Sequence, residues 1–192
     1  MNILLASKSP RRRELLELAQ LDFEIVPTSF DESKISKEME ASEYVSTLAK
    51  GKALKAFEDV EEIKKRDSLV IGADTIVVLD NEILGKPSDE KEAFKMLKKL
   101  SGREHKVYTA VSLVDKGHEK TFFEETKVYF YELSDDEINE YIKSGEPMDK
   151  AGSYGIQGLG SLFVRKIDGD YFNVVGLPLA RTVRELKNFI VY

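Results

Sequence analysis

The chain contains no cysteine, and only two of its 192 residues are histidine. Without cysteine there is no disulfide, no thiolate metal centre and no cysteine nucleophile, and the redox compartment is left open. His105 and His118 lack any paired metal-ligand spacing and read as loop or strand residues. Long apolar runs are missing too: none approaches membrane-spanning length, and the first residues enter a short apolar strand with no signal-peptide core before it. A cytoplasmic protein without membrane contact is therefore expected. No GxxxxGK[ST] occurs and no GxGxxG opens a helix, so the P-loop and the dinucleotide fingerprint are absent. Positive charge is in deficit, with 29 Lys and Arg against 35 Asp and Glu for a net charge of −6. That balance argues against a nucleic-acid partner held by counterion release; any grip on a polyanion must be local. The aromatics Phe122, Phe123, Tyr129 and Tyr131 read as strand packing rather than a stacking platform. With no repeat, low-complexity tract or linker, residues 1–192 are expected to form a single domain with a substantial core.

What is there begins with SKSPRRRELL, residues 7–16. NILLA before it reads as a buried strand, Ser9 as an N-cap, Pro10 as the first helical residue, and RRRELLELAQ as an amphipathic helix. Three arginines thus crowd the positive end of a helix dipole, where each cation is disfavoured by roughly 0.3–1 kcal/mol unless an anion offsets it. Arg11, Arg12 and Arg13 either form a phosphate site with the free N–H groups of the turn or a solvated patch paired with Glu14 and Glu17.

Further along, Phe23–Val26 reads as a strand leading into a polar loop with Asp31 and Glu32. SEYVSTLAKGKALKAFEDVEEIKK reads as one long helix. SLVIGADTIVVLD is a continuous apolar run expected to be a central strand, turning at Asp80-Asn81 into EILGKP. Ser88 is expected to cap the helix DEKEAFKMLKKL, which Ser101-Gly102 stops. HKVYTAVSLVD and KTFFEETKVYFYEL form an antiparallel pair through KGHE. A capping box, Ser134 with Glu137, opens SDDEINEYIKSG. The glycine-rich loop DKAGSYGIQGLG follows, then a hairpin SLFVRKIDGDYFNVV turning at Asp168-Gly169, and a last helix LARTVRELKNF. Helices alternating with strands and hairpins predict an α/β protein with a mixed sheet and helices on its faces.

Asp74 breaks its local rule most sharply. A carboxylate inside a central apolar strand is costly unless paired with a cation, a metal or a dense set of donors, and it suits a general base or a metal ligand. Lys52 shares a helix face with Val45, Leu48, Ala49, Ala53 and Ala56, so its ammonium must snorkel or meet an anion. Lys86, Lys150 and Glu32 are ordinary taken one by one. Glycines 152, 155, 158 and 160 permit close backbone approach to a ligand, and Gln157 between two of them can present its amide to a base edge. Together these cations and the carboxylates Asp74 and Glu32 suit a polyphosphate with a divalent ion, and nothing suggests a covalent nucleophile.

SKSPRRRELL, ADTIVV with GKP, and EPMDKAGSYGIQGLG with GDYFNVVGLPL resemble the Maf family of nucleoside triphosphate pyrophosphatases over essentially the whole length. The resemblance implies a Maf/ITPase-like fold with two lobes and a cleft, a homodimer, and a divalent metal requirement, Mg²⁺ or Mn²⁺. It also implies hydrolysis of a nucleoside triphosphate between the α- and β-phosphates to the monophosphate and pyrophosphate. On the matching positions Asp74 is the proton acceptor and a metal ligand with Glu32, while Ser7, Arg12, Arg13, Lys52 and Lys86 are polar cleft residues. Arg11, Thr75 and Gln157 occupy the specificity positions, in a combination that resembles the dTTP/UTP-hydrolysing subgroup. A different class of function, a nucleotide-sensing regulator of septum formation without turnover, would use the same residues.

Overall fold

A computed structural model describes residues 1–36 and 38–190. In chain order these form β1 (Asn2–Ala6), α1 (Pro10–Leu18), β2 (Phe23–Ile25), α2 (Ala41–Asp59), α3 (Glu62–Lys65), β3 (Ser68–Leu79), β4 (Glu82–Leu84) and α4 (Glu90–Leu100). There follow β5 (Glu104–Val114), β6 (Glu119–Phe130), α5 (Asp135–Lys143), β7 (Val164–Asp168), α6 (Tyr171–Val175) and α7 (Leu179–Ile190). The strands are hydrogen-bonded in the order β2-β1-β3-β5-β6-β7, with β4 added to β3. β2 and β3 run parallel to β1, whereas β4 is antiparallel to β3 and β7 to β6. The sheet is mixed and helices intervene between its strands, as the alternation in the sequence predicts.

The chain divides into two compact units. The first comprises Met1–Asp74, Thr109–Glu124 and the segment from Gly176 onward. Its core joins Leu4 and Ala6 of β1, Val70 of β3 and Val114 of β5 to Ala53 and Ala56 of α2. The helical period of α2 holds: Val45, Leu48, Ala49, Ala53 and Ala56 are all buried. Small residues on this face let backbone meet backbone. A Cβ on Gly72 would lie 2.5 Å from the Ala49 carbonyl oxygen and 2.6 Å from the Ala53 nitrogen, so β3 rests directly on the main chain of α2. The long helix expected through Lys65 ends earlier. Val60 is extended, at φ −72° and ψ 140°, and α3 is a separate turn, since a β-branched residue closes α2 at little cost.

The second unit comprises Thr75–Tyr108 and Glu125–Val175. Val77 and Leu79 of β3, Leu84, Leu97 and Leu100 around α4, Val128 and Phe130 of β6, Ile138 and Tyr141 of α5, and Tyr154 and Phe163 build its core. The β3–β4 turn is as expected, with Asp80 and Asn81 both at positive φ, 49° and 67°, as a tight two-residue hairpin requires. The capping box of Ser134 and Glu137 is complete.

Two local expectations are corrected here. The N-cap of α4 is Asp89, whose carboxylate accepts from Glu92 N–H at 2.8 Å; Ser88, one residue earlier, instead donates from its N–H and its hydroxyl to Glu92 Oε2, both at 2.6 Å. A carboxylate at the positive helix end outcompetes the hydroxyl beside it. The hairpin expected across Asp168-Gly169 has only one strand. β7 pairs with β6, but the following residues coil into α6 because Asp170 Oδ1 accepts from Phe172 N–H at 2.8 Å. The side-chain amide of Asn173 then donates to Val107 O at 3.0 Å and Thr126 Oγ1 at 2.9 Å, which an outward-facing strand residue could not do.

Candidate active site

In the first unit the turn after β1 begins the site. Ser9 is extended and Pro10 opens α1, as expected, but the Ser9 side chain makes no cap; its N–H donates to Ser7 Oγ at 3.2 Å. Arg12 donates from Nη1 to the same Ser7 Oγ at 3.2 Å and from Nε to Gly176 O at 2.8 Å. Ser7 is buried and Arg12 half-buried, so the guanidinium is held by two fixed oxygens. Burial lowers the Arg12 pKa from its ordinary value, Asp74 raises it, Arg11 lowers it and Glu32 raises it again. These charges therefore act on one another, and Arg11 and Arg12 repel at a helix end that carries no acidic residue in its first turn. Arg13 is not drawn into this group: it donates to Glu17 at 2.7 Å on an exposed face.

Lys52 resolves the oddity of its helix. Its ammonium donates to Asp74 Oδ1 and lies 2.8 Å from Glu32 Oε1. The Lys52 and Asp74 side chains are 12% and 13% exposed, so their charges are taken largely out of water, while Glu32 at 54% stays wet. Glu32 is presented by a short 3₁₀ turn, Glu32–Lys34, that Asp31 caps by accepting from Ser33 N–H at 3.1 Å. One residue before that cap, Phe30 lies against Gly51, where a Cβ would meet the ring at 2.3 Å. That seat brings the Glu32 loop onto α2 beside Lys52. Tyr44 belongs to this group and escaped sequence reasoning; its phenol is pushed up by burial and then by the charges of Asp74 and Glu32. It lies eight residues before Lys52, on the same helical face, and that spacing was the available signal.

In the second unit Thr75 is half-buried on β3, and Lys86 and Gln157 are exposed. Lys86 follows β4, and Gly152 N–H donates to Gly85 O at 3.0 Å, which sets the GKP segment against the glycine-rich loop. Gly152, at φ 67°, lies so close to Val77 of β3 that a Cβ would sit 2.9 Å from its Cγ1. Gln157 precedes the 3₁₀ helix Gly158–Phe163. Lys150 is turned inward, donating to Glu146 O at 2.5 Å and Asp149 Oδ1 at 2.7 Å. His105, expected in a loop or strand, is a β5 residue whose Nε2 is 2.8 Å from the Tyr154 hydroxyl. Burial lowers its pKa to about 3, so the ring is neutral, and Phe130 and Tyr154 pack against it edge-on at 4.9 and 5.3 Å. Tyr141 and Glu146, which sequence reasoning left unassigned, lie under this loop. Among the described residues no helix is long and apolar enough to cross a membrane.

Comparison with known proteins places this geometry in context. The profile of Maf-like proteins matches residues 2–189. A dTTP/UTP pyrophosphatase of Bacillus cereus (strain G9842) is 54% identical over 187 residues, covering 97% of this chain and 95% of that protein. A dTTP/UTP pyrophosphatase of Caldanaerobacter subterraneus subsp. tengcongensis is 54% identical over 189 residues, covering 97% of this chain and 88% of that protein. Among solved structures, the Staphylococcus aureus Ham1 protein matches with a TM-score of 0.42 at 15% identity, over 68% of this chain and 72% of that one.

Proposed function

Since the chain belongs to the Maf-like family, we propose that it is a nucleoside triphosphate pyrophosphatase that hydrolyses dTTP and UTP to the monophosphate and pyrophosphate. The observation that carries this reading is the convergence of Asp74 and Glu32 on the Lys52 ammonium, with Arg12 close enough to feel the charge of both carboxylates, a group of charges that no packing requirement explains. The names of relatives identical at more than half of the aligned positions support the substrate.

In this reading Asp74 takes the proton from the water that attacks the α-phosphorus, the bond to the bridging oxygen breaks, and pyrophosphate leaves. Lys52 holds the Asp74 carboxylate in place and, with Arg12 fixed by Ser7 and Gly176, offsets charge on the phosphate oxygens. Arg13 contributes only on exchanging Glu17 for substrate. Lys86 acts on phosphate, and Arg11, Thr75 and Gln157 select the nucleotide.

The family implies a divalent metal, and the donor set fits one: Asp74 and Glu32 already converge on a single cationic group, and hard carboxylate oxygens match Mg²⁺ or Mn²⁺. Asp74 and Glu32 would be its protein ligands, and among the described residues no group of three or more His, Cys, Asp or Glu is placed to hold a metal ion. When bound, the ion would neutralise phosphate charge and acidify water. The reading includes a cytoplasmic homodimer, checked by sizing the purified protein and by cell fractionation.

The decisive experiment is pyrophosphate release from dTTP, UTP, CTP, GTP and 7-methyl-GTP, each with Mg²⁺, Mn²⁺ or EDTA. Metal-dependent release confined largely to dTTP and UTP is expected. Activity on 7-methyl-GTP alone would overturn the specificity assignment, and release from no nucleotide would overturn the enzyme.

A further inference from the structure

We infer that Tyr141 and Glu146 form a staple that holds the hexapeptide Gly155–Gly160 closed and thereby positions Gln157, making them positioning residues for nucleotide selection. The inference rests on the reading of Gln157 as a residue that selects the nucleotide.

The hydrogen bonds run through both ends of the hexapeptide. At its start, Gly155 N–H donates to the Tyr141 hydroxyl at 3.3 Å, and that hydroxyl donates to Glu146 Oε1 at 3.1 Å. At its end, Gly160 N–H donates to Glu146 Oε1 at 3.3 Å and Leu159 N–H to Oε2 at 3.1 Å. One carboxylate thus ties the two ends together, and Gln157 is exposed between them. The three glycines are the steric half of the device. A Cβ on Gly160 would lie 2.4 Å from Gly155 O, so the ends approach within backbone contact. Gly158, at φ 69°, turns the chain so that the next two N–H groups face Glu146, and a Cβ there would lie 2.8 Å from Oε2. Lys150 lines the same segment, its stem close enough that a Cβ on Gly155 would meet Cε at 2.8 Å.

The staple itself is anchored. Tyr141 is buried on α5 with its ring edge-on to Phe163 at 4.9 Å, and Glu146 follows the left-handed Gly145 that ends that helix. Burial and then the Glu146 charge push the Tyr141 phenol above its ordinary pKa, so it stays a donor to the carboxylate. Without these bonds a stretch that is half glycine would sample many conformations, and an amide that reads a base edge loses discrimination when its position is not fixed. Charge-assisted bonds to backbone N–H groups are the strong kind suited to holding it.

The test compares kcat/KM for dTTP and CTP in the intact protein, Glu146→Gln, Tyr141→Phe, Gln157→Ala and the double variant Glu146→Gln/Gln157→Ala. The expected result is a dTTP:CTP ratio lowered roughly tenfold in Glu146→Gln, in line with the cost of small misplacements, and by less in Tyr141→Phe. The double variant should lose no more selectivity than Gln157→Ala alone. Amide exchange at Leu159 and Gly160 should quicken in Glu146→Gln while that of β3 stays unchanged. If Glu146→Gln does not fold, Tyr141→Phe carries the comparison. A ratio that moves in Gln157→Ala but not in the staple variants, or losses that simply add, would overturn the staple and leave the role of Gln157 standing. A ratio that Gln157→Ala leaves unchanged would overturn that role and the staple with it.

Discussion

Asp74 and Glu146 are both carboxylates met by protein donors, yet the donors differ in kind. Asp74 accepts from an ammonium at the end of a four-carbon stem, which it shares with Glu32. Glu146 accepts from two main-chain N–H groups and a phenol buried in a core. An ammonium can swing toward an incoming anion and return, so Asp74 can change partners during a reaction cycle. Main-chain donors cannot leave without unfolding their segment, and a carboxylate held by them serves geometry. The chemistry around a carboxylate therefore separates a reacting group from a supporting one before any substrate is considered.

The sharpest break of this comparison is Asp74→Asn, which keeps shape and removes the proposed base. Turnover should fall by about 10³-fold or more with the thermal unfolding midpoint near that of the parent, read by pyrophosphate release and calorimetry. Lys52→Met keeps the stem and removes the shared cation. It should lower turnover by roughly 10²-fold, and it should cost about 3 kcal/mol of stability, because Asp74 is left largely buried without its cation while half-exposed Glu32 can return to water. Gly72→Ala leaves every charge in place and forces α2 away from β3. Urea melts should show a loss of about 1–3 kcal/mol, with a smaller drop in turnover as Lys52 is shifted from Asp74. The effect that is smallest at neutral pH, and shows only in acid, concerns His105, whose folded pKa of about 3 lies below its ordinary 6.5. Stability from this residue is complete above pH 6.5 and declines as pH falls toward 3, because the unfolded chain binds the proton first. The slope approaches ~1.4 kcal/mol per pH unit within that window, and His105→Phe should flatten it in pH-dependent urea melts.

How much of this was legible depends on where each signal resides. Ser9-Pro10, Asp80-Asn81 and the Ser134–Glu137 box are local chemistry, and each stands where the sequence puts it. Asp74 and Lys52 were legible because each violates the apolar pattern of its own element, and the structure pairs the two violations. Glu32 gave no such signal alone and joins them through a loop seated on Gly51. Asp168-Gly169 gave a hairpin signal that is true for β7 and false beyond it. What overrides it is the hydrogen bonding of Asp170 and Asn173, including bonds to Thr126 and Val107 from distant parts of the chain. Glu146 was silent for a similar reason: its partners Leu159 and Gly160 contribute N–H groups, which every residue but proline carries and no sequence pattern marks.

The contact of Gly72 with the Ala49 carbonyl and the Ala53 nitrogen bears on how such an enzyme can change over generations. Where two elements touch through side chains, successive substitutions can alter their spacing by fractions of an ångström. Here the closest atoms belong to the main chain, so while Gly72 is kept the gap between α2 and β3 is insulated from drift in the surrounding core. Lys52 and Asp74 sit on opposite banks of that gap, and the core around them can vary in composition while the distance between carboxylate and ammonium stays the same.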